Sequence, residues 1–316
     1  MKIFWTLIVL IFFAAISCDT NNAPSVYTLN VTVTPEEGGT VSPTSGIFDK
    51  GSRIEIVSEA FEGWRLGEWQ GDASGDSEIF IIESMNEDKD INANFVPLES
   101  SLWAMGYNHN GQLGDGVRVD QLNPDWSDYD VVKAEAGSWH SLYIKKNSEL
   151  WGMGYNFHGQ LGDGTTEDQR YPVWISNDVA DVSAGEIFSA YVTNSGALYT
   201  MGANEEGQLG TGTTTSHITP VQIDDNVKSV EIGEWHGLYI KNDGTLWGMG
   251  RNTDNQLSSD TVSFYSTPFQ IDTDIELAAA GKRHTLYVKT DGTLWGFGGN
   301  ASGQLGDGTT QRRSQP

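Results

Sequence analysis

The stretch Leu150-Trp-Gly-Met-Gly-Tyr-Asn-Phe-His-Gly-Gln-Leu-Gly-Asp-Gly-Thr165 has counterparts beginning at Leu102, Leu198, Leu246 and Leu294. The matching glycines Gly106, Gly154, Gly202, Gly250 and Gly298 lie 48 residues apart. Asn108, Asn156, Asn204, Asn252 and Asn300 keep that spacing, as do Leu113, Leu161, Leu209, Leu257 and Leu305. So do Pro124, Pro172, Pro220, Pro268 and Pro316. A fixed period of this length marks a repeat architecture, in which one unit cannot bury its own faces and neighbours supply the core.

One unit can be read residue by residue. Val227-Lys-Ser-Val-Glu-Ile232 alternates as a half-buried strand does, and Gly233 breaks it. Leu238–Lys241 and Thr245–Met249 read as two further strands. Between them Asp243-Gly244 supplies the positive φ of a tight hairpin, as does Asp291-Gly292 and, in altered form, Ser195-Gly196. After a glycine-rich loop, Pro220–Ile223 reads as a short outer strand beginning at a proline. Four short strands per unit, repeated, make a β-propeller blade. The fold class is all-β.

The run Leu-Trp-Gly-Met-Gly-x-Asn-x-x-Gly-Gln-Leu-Gly-Asp-Gly-Thr, with Gly137/His140, Gly233/His236 and Gly281/His284 upstream, resembles the RCC1 (regulator of chromosome condensation) repeat. The resemblance covers residues 98–316. It implies a seven-bladed propeller that presents a loop-rich face to protein partners. Seven blades of this size need roughly 336 residues, and the region holds about four and a half units. The unit at Leu102 lacks its Gly-x-x-His strand, and the last stops at Pro316 where an outer strand is due. Unpaired edges are an aggregation hazard, so the chain is expected to be part of a longer, closed propeller.

Ahead of the repeats, residues 1–17 read as an export signal: Lys2, then an apolar run from Ile3 to Ile16, too short to span a bilayer comfortably. Ala15-Ile16-Ser17-Cys18 resembles the bacterial lipobox, which implies lipidation of Cys18 and a membrane-tethered chain. Cys18 is the only cysteine, so no internal disulfide can form. Residues 18–25 read as a flexible leader. Residues 26–97 read as a small β module, because Tyr27–Val33 alternates and no stretch has helical spacing with caps. Its order of Gly-Gly-Thr-Val, Glu-Gly-Trp64, Trp-Gln-Gly-Asp72 and Asn-Ala-Asn-Phe95 resembles the divergent internalin B-repeat, which implies a spacer; Trp64 and Trp69 are expected in its core.

Chemistry is constrained mainly by what is missing. A formal charge of −25 with scattered Lys and Arg opposes nucleic-acid binding, which needs a basic face. Gly298–Gly303 looks like a phosphate loop, but Gln304-Leu305 follow where Lys and Ser or Thr are needed. His140, His236 and His284 recur, with Phe188 in the remaining copy, and read as packing residues of each blade rather than metal ligands. Asp115, Asp163 and Asp307 read as turn residues, since one carboxylate per copy falls short of a calcium site. No nucleophile elbow occurs. No catalytic residue, metal or cofactor is assigned.

Function is sought where the copies differ. One column, just after the anchor glycine, reads Tyr107, Tyr155, Ala203, Arg251 and Gly299. A second, beside the histidine position, reads Trp139, Ile187, Trp235 and Arg283. Aromatic and arginine side chains are what binding hot spots use, so Tyr107, Tyr155, Trp139, Trp235, Arg251 and Arg283 are the candidate partner-binding residues. For each of them packing between blades is an equal alternative. Trp126, Trp174, Phe264 and Tyr265 are placed in variable loops. The expectation is an exported lipoprotein of a bacterial envelope, anchored in the outer membrane or at the surface, that binds a protein or glycan. Guanine-nucleotide exchange, by analogy with the family, and a carbohydrate-active envelope role are the alternatives.

Overall fold

The computed structural model describes residues 25–61, 63–97 and 101–316. Cys18, the signal and most of the leader lie outside the described residues. The chain divides into two compact units, Met1–Leu98 and Glu99–Pro316. No helix among the described residues is long and apolar enough to cross a membrane.

In the first unit seven strands, β1 Val26–Thr34, β2 Gly39–Ser42, β3 Ser45–Asp49, β4 Ile54–Ala60, β5 Trp64–Gly71, β6 Ile79–Ile82 and β7 Lys89–Pro97, make two sheets. One has the order β3-β1-β7-β5 and the other β2-β4-β6, with β1 and β7 parallel. Alternation along β1 and β7 sends Leu29, Val31, Ile91, Ala93 and Phe95 into a core shared with Ile56 and Trp69. The indole N–H of Trp69 donates to the Ser77 carbonyl at 2.7 Å, and Trp64 packs at the edge of the same core. Both tryptophans are structural, as expected.

The second unit consists of successive antiparallel sheets, numbered here as blades. Blade one is β8 Leu102–Gly106 with β9 Gln121–Asp128. Blade two is β10 Val131–Ala136, β11 His140–Lys145, β12 Leu150–Gly154 and β13 Gln169–Ser176. Blade three is β14 Val179–Ala184, β15 Phe188–Thr193, β16 Leu198–Gly202 and β17 His217–Asp224. Blade four is β18 Val227–Ile232, β19 His236–Lys241, β20 Leu246–Arg251 and β21 Phe264–Asp272. Blade five is β22 Ile275–Ala280, β23 His284–Lys289 and β24 Leu294–Gly298, with an isolated bridge from Gly298 to Arg313. Each blade is an open sheet.

The outer strands are longer than a strand starting at proline would be. β17 begins at His217, and Pro220 lies inside it, which an edge strand tolerates because the missing N–H faces away from the ladder. Trp126, Trp174, Phe264 and Tyr265 sit on the outer strands β9, β13 and β21 and not in loops, the last two because β21 begins ahead of Pro268.

The core lies between blades. Phe188, Val192 and Leu198 of blade three pack with Val230, Tyr239 and Met249 of blade four, and the same alternation joins blades two and three and blades four and five. The inner strands β10, β14, β18 and β22 stand side by side. Their unpaired edges are partly satisfied from the next blade: Val230 N–H donates to Asp181 Oδ2 at 3.0 Å and Ile232 N–H to Ser183 Oγ at 2.9 Å.

Candidate binding face

The face begins with the anchor glycine that ends each third strand. Gly154 has φ +103°, and a Cβ there would stand 2.7 Å from the Trp139 carbonyl oxygen, so only glycine lets the chain turn here. The turn aims the next N–H at the residue preceding the histidine position. Tyr155 donates to Trp139, Ala203 to Ile187, Arg251 to Trp235 and Gly299 to Arg283, at 2.7–3.0 Å. The two variable columns are thus tied pairwise by backbone hydrogen bonds at one end of the propeller.

Beneath them a constant framework holds the loop. Asn156, fully buried, accepts from Leu161 N–H at 3.0 Å and donates through Nδ2 to Asp163 at 2.9 Å and to the Thr165 carbonyl at 3.2 Å. Asn108 and Asn300 repeat the arrangement with Asp115 and Asp307. These aspartates act as turn residues. The histidines do more than pack within their own blade. His140 Nε2 shares a hydrogen bond with Ser189 Oγ of blade three at 2.8 Å, and His236 Nε2 with Thr285 Oγ1 of blade five at 3.3 Å. Burial pushes His140 down to about 4; burial, with His284 nearby, takes His236 to about 3, so both stay neutral.

Of the six candidate residues, Tyr107, Trp139 and Tyr155 come together. The Tyr107 ring meets Trp139 edge-on with centroids 5.7 Å apart, and both are exposed, at 45% and 38%. Tyr155 is half-buried and lies parallel to Phe157, whose ring is 66% exposed. His109 and His158 complete this aromatic sector. Trp235 and Arg251 are half-buried, and Arg251 is held by Thr253 at 2.7 Å. Arg283 is exposed and reaches Asp254 at 3.9 Å.

The alternation between blades left a further group unread. Gly137, Gly185, Gly233 and Gly281 form an arc in which each abuts the next: a Cβ on Gly233 would stand 2.3 Å from the Gly281 carbonyl oxygen. This arc walls a cavity of about 500 Å³ that Trp139, Glu186, Glu234 and Lys282 also line. Lys282 Nζ bonds Glu234 Oε1 at 2.7 Å. The signal was present in the sequence as the residue after each glycine: Ser138, Glu186, Glu234 and Lys282.

Sequence models described as the regulator of chromosome condensation (RCC1) repeat match residues 99–144, 147–192 and 195–240, and again 131–160, 227–256 and 275–304. The chain belongs to the RCC1 repeat family. Ahead of the RCC1 unit, residues 29–98 match the divergent InlB B-repeat domain. No curated protein sequence matches the chain. Among solved structures, the RCC1 fold is shared with human WBSCR16, at 18% identity over 92% of this chain and 81% of that one, with a TM-score of 0.62. It is shared too with Prp20p from Saccharomyces cerevisiae, at 18% identity over 88% and 74% of the two chains and a TM-score of 0.61. Yeast RCC1 (Prp20) bound to Kap60 matches at 18% identity over 88% and 72%, also with a TM-score of 0.61.

Proposed function

We propose that the protein is a binding scaffold whose RCC1 unit engages a protein partner through the end of the propeller bearing Tyr107, Trp139, Tyr155, Trp235, Arg251 and Arg283. The observation that carries this is the edge-on contact of the exposed Tyr107 and Trp139 rings, to which half-buried Tyr155, stacked with exposed Phe157, is joined by its backbone hydrogen bond to Trp139. These rings stand at the positions where the repeats depart from one another, on a buried framework that they share. Rigid, exposed aromatic rings are the side chains that anchor protein interfaces. Among proteins of this fold, Prp20p is described with binding properties to Gsp1p and histones.

The test is affinity for a partner isolated by cross-linking to the wild-type chain. Replacing Tyr107, Trp139 and Tyr155 together by Ala should weaken that affinity by about thirtyfold or more, with the circular dichroism spectrum unchanged. Undiminished affinity in the folded triple variant would remove the reading. From its sequence setting we further propose that Cys18 carries lipid and tethers the scaffold to a bacterial envelope membrane. Intact mass of protein extracted from membranes tests this, and a Cys18 free of lipid would end it.

A further inference from the structure

We propose that the cavity walled by Gly137, Gly185, Gly233 and Gly281 receives the side chain of a lysine or arginine presented by the protein partner, an assignment that rests on the protein-binding reading above. The cavity is built into the repeat. Around its wall each glycine is packed against the carbonyl of the next, so no side chain from the framework can fill the space. What projects into it comes from the variable position that follows each glycine.

Two of those residues, Glu186 and Glu234, bring carboxyl groups of adjacent blades against each other, and burial together with Glu234 raises the pKa of Glu186. Lys282 is tied to Glu234 by one carboxylate oxygen, Oε1. The other, Oε2, is buried and meets no donor in good hydrogen-bond geometry, although the Glu186 carboxyl and Trp235 stand beside the carboxylate, and the Glu234 side chain is only 14% exposed. A buried carboxylate oxygen lacking a donor is costly. An ammonium or guanidinium entering the cavity supplies both the missing donor and the opposite charge. Trp139, exposed at the rim, offers a ring face on which a cation can rest. The formal charge of −25 attracts a basic segment over a distance and repels an acidic one. Lys282 does not make this an anion site, because two carboxyl groups, Glu186 and Glu234, face its single charge.

Calorimetric titration of the full chain with capped pentapeptides tests the proposal. The probes are Gly-Gly-Arg-Gly-Gly, Gly-Gly-Lys-Gly-Gly and Gly-Gly-Glu-Gly-Gly. The arginine and lysine peptides should bind saturably at roughly millimolar concentration, a strength suited to a single buried contact, and the glutamate peptide should not bind. Glu186→Gln with Glu234→Gln, which removes charge but not volume, should weaken the arginine peptide about tenfold. Phe157→Ala, outside the cavity, should leave peptide binding within about twofold while lowering affinity for the isolated protein partner. Equal binding of the arginine peptide to the Gln variant, saturation by the glutamate peptide, or no saturable binding of either cationic peptide would overturn the cation assignment. Because partner affinity is measured separately, it can survive that result; loss of the cavity's role leaves the aromatic rim as the binding surface.

Discussion

The carboxylate of Asp224, at the end of blade three, accepts the phenol hydrogen bond of Tyr239 in blade four at 2.6 Å. Its other oxygen accepts from Lys241 Nζ at 2.8 Å. The same three-part latch joins blade one to blade two through Asp128, Tyr143 and Lys145, and blade four to blade five through Asp272, Tyr287 and Lys289. Each latch spans a boundary across which the apolar core is also shared, so it couples blades that could not stand alone.

Asp224→Ala should therefore cost about 2 kcal/mol, less than a fully buried pair because both partners are about one-fifth exposed. Urea denaturation of the variant checks this. Burial opposes the charge of Asp224, but the Lys241 and Tyr239 hydrogen bonds outweigh it and leave its pKa lowered. A carboxyl depressed in the folded state adds stability above its unfolded pKa, and that stability is lost as pH falls through the folded value. The destabilisation caused by Asp224→Ala should accordingly shrink in acid. An effect independent of pH would remove the charge from the latch.

The boundary between blades two and three lacks this device, because Ser176 stands at the aspartate position and Thr193 at the lysine position. Both partners are missing together, so no lone charge is left. Ser176→Asp with Thr193→Lys should stabilise the fold by about 1 kcal/mol, and either change alone should gain less or lose stability. A double-mutant cycle in urea reads the coupling, and additive single effects would show that no latch had formed.

Much of this architecture is legible in the 48-residue period: the blades, the hairpin at Asp243-Gly244, and the two variable columns that hold Tyr107 and Trp139. The rest depends on which copies become neighbours. His140 looks like a residue of its own blade, yet its partner is Ser189, one repeat on. Glu186 and Glu234 are 48 residues apart and meet only because consecutive inner strands lie side by side. The latch residues also recur at the period, but Asp, Tyr and Lys at strand ends read as ordinary solvated positions until the blade boundary between them is known. The placement of Phe264 and Tyr265 in a loop fails for a local reason: Pro268 reads as a strand start, whereas edge strand β21 begins at Phe264 and accommodates the proline four residues in.

The glycine arc makes a steric prediction. A methyl group on Gly233 would meet both the Gly281 carbonyl oxygen at 2.3 Å and the ring of its own His236 at 2.8 Å. Neither neighbour can retreat without moving a blade. Gly233→Ala should cost about 3 kcal/mol or more. Gly292→Ala, in an open hairpin turn at φ +82° with nothing near its Cβ, should cost only about 1 kcal/mol of backbone strain. Comparable losses in thermal unfolding of the two variants would mean that the arc yields.

A fourth prediction concerns the inner strands. Lys133 bonds Asp181 at 2.5 Å and Glu135 at 3.3 Å, leaving Glu231 among carboxylates that already hold the cation. Burial, with Glu135 and Asp181, lifts Glu231 to about 7 against the pull of Lys133. A raised carboxyl pKa means that the folded state holds the proton more tightly than the unfolded state. Its contribution is most favourable below the ordinary value of 4.5 and falls as pH rises through 7. Glu231→Gln should leave stability unchanged near about pH 4 and raise it by about 1–2 kcal/mol near about pH 8, allowing for solvent screening. Chemical denaturation at both values decides it, and a difference that does not grow with pH would mean Glu231 ionises freely.

The hairpin of blade two carries the last prediction. Gly196, Gly244 and Gly292 take φ between +80° and +87° in their turns, and Ser148 occupies the equivalent place in blade two at φ +65°. Its N–H still donates to the Lys145 carbonyl at 2.9 Å and its carbonyl accepts from Val179 N–H at 2.9 Å, so the turn is made despite the side chain. A non-glycine residue in the left-handed region costs about 1 kcal/mol. The Ser148 hydroxyl returns little, its contact being a 3.4 Å hydrogen bond from Asn194. Ser148→Gly should therefore stabilise the unit by about 0.5 kcal/mol, after the greater freedom of glycine in the unfolded chain is deducted. A fall in the urea midpoint would show that the hydroxyl contributes more than its geometry allows.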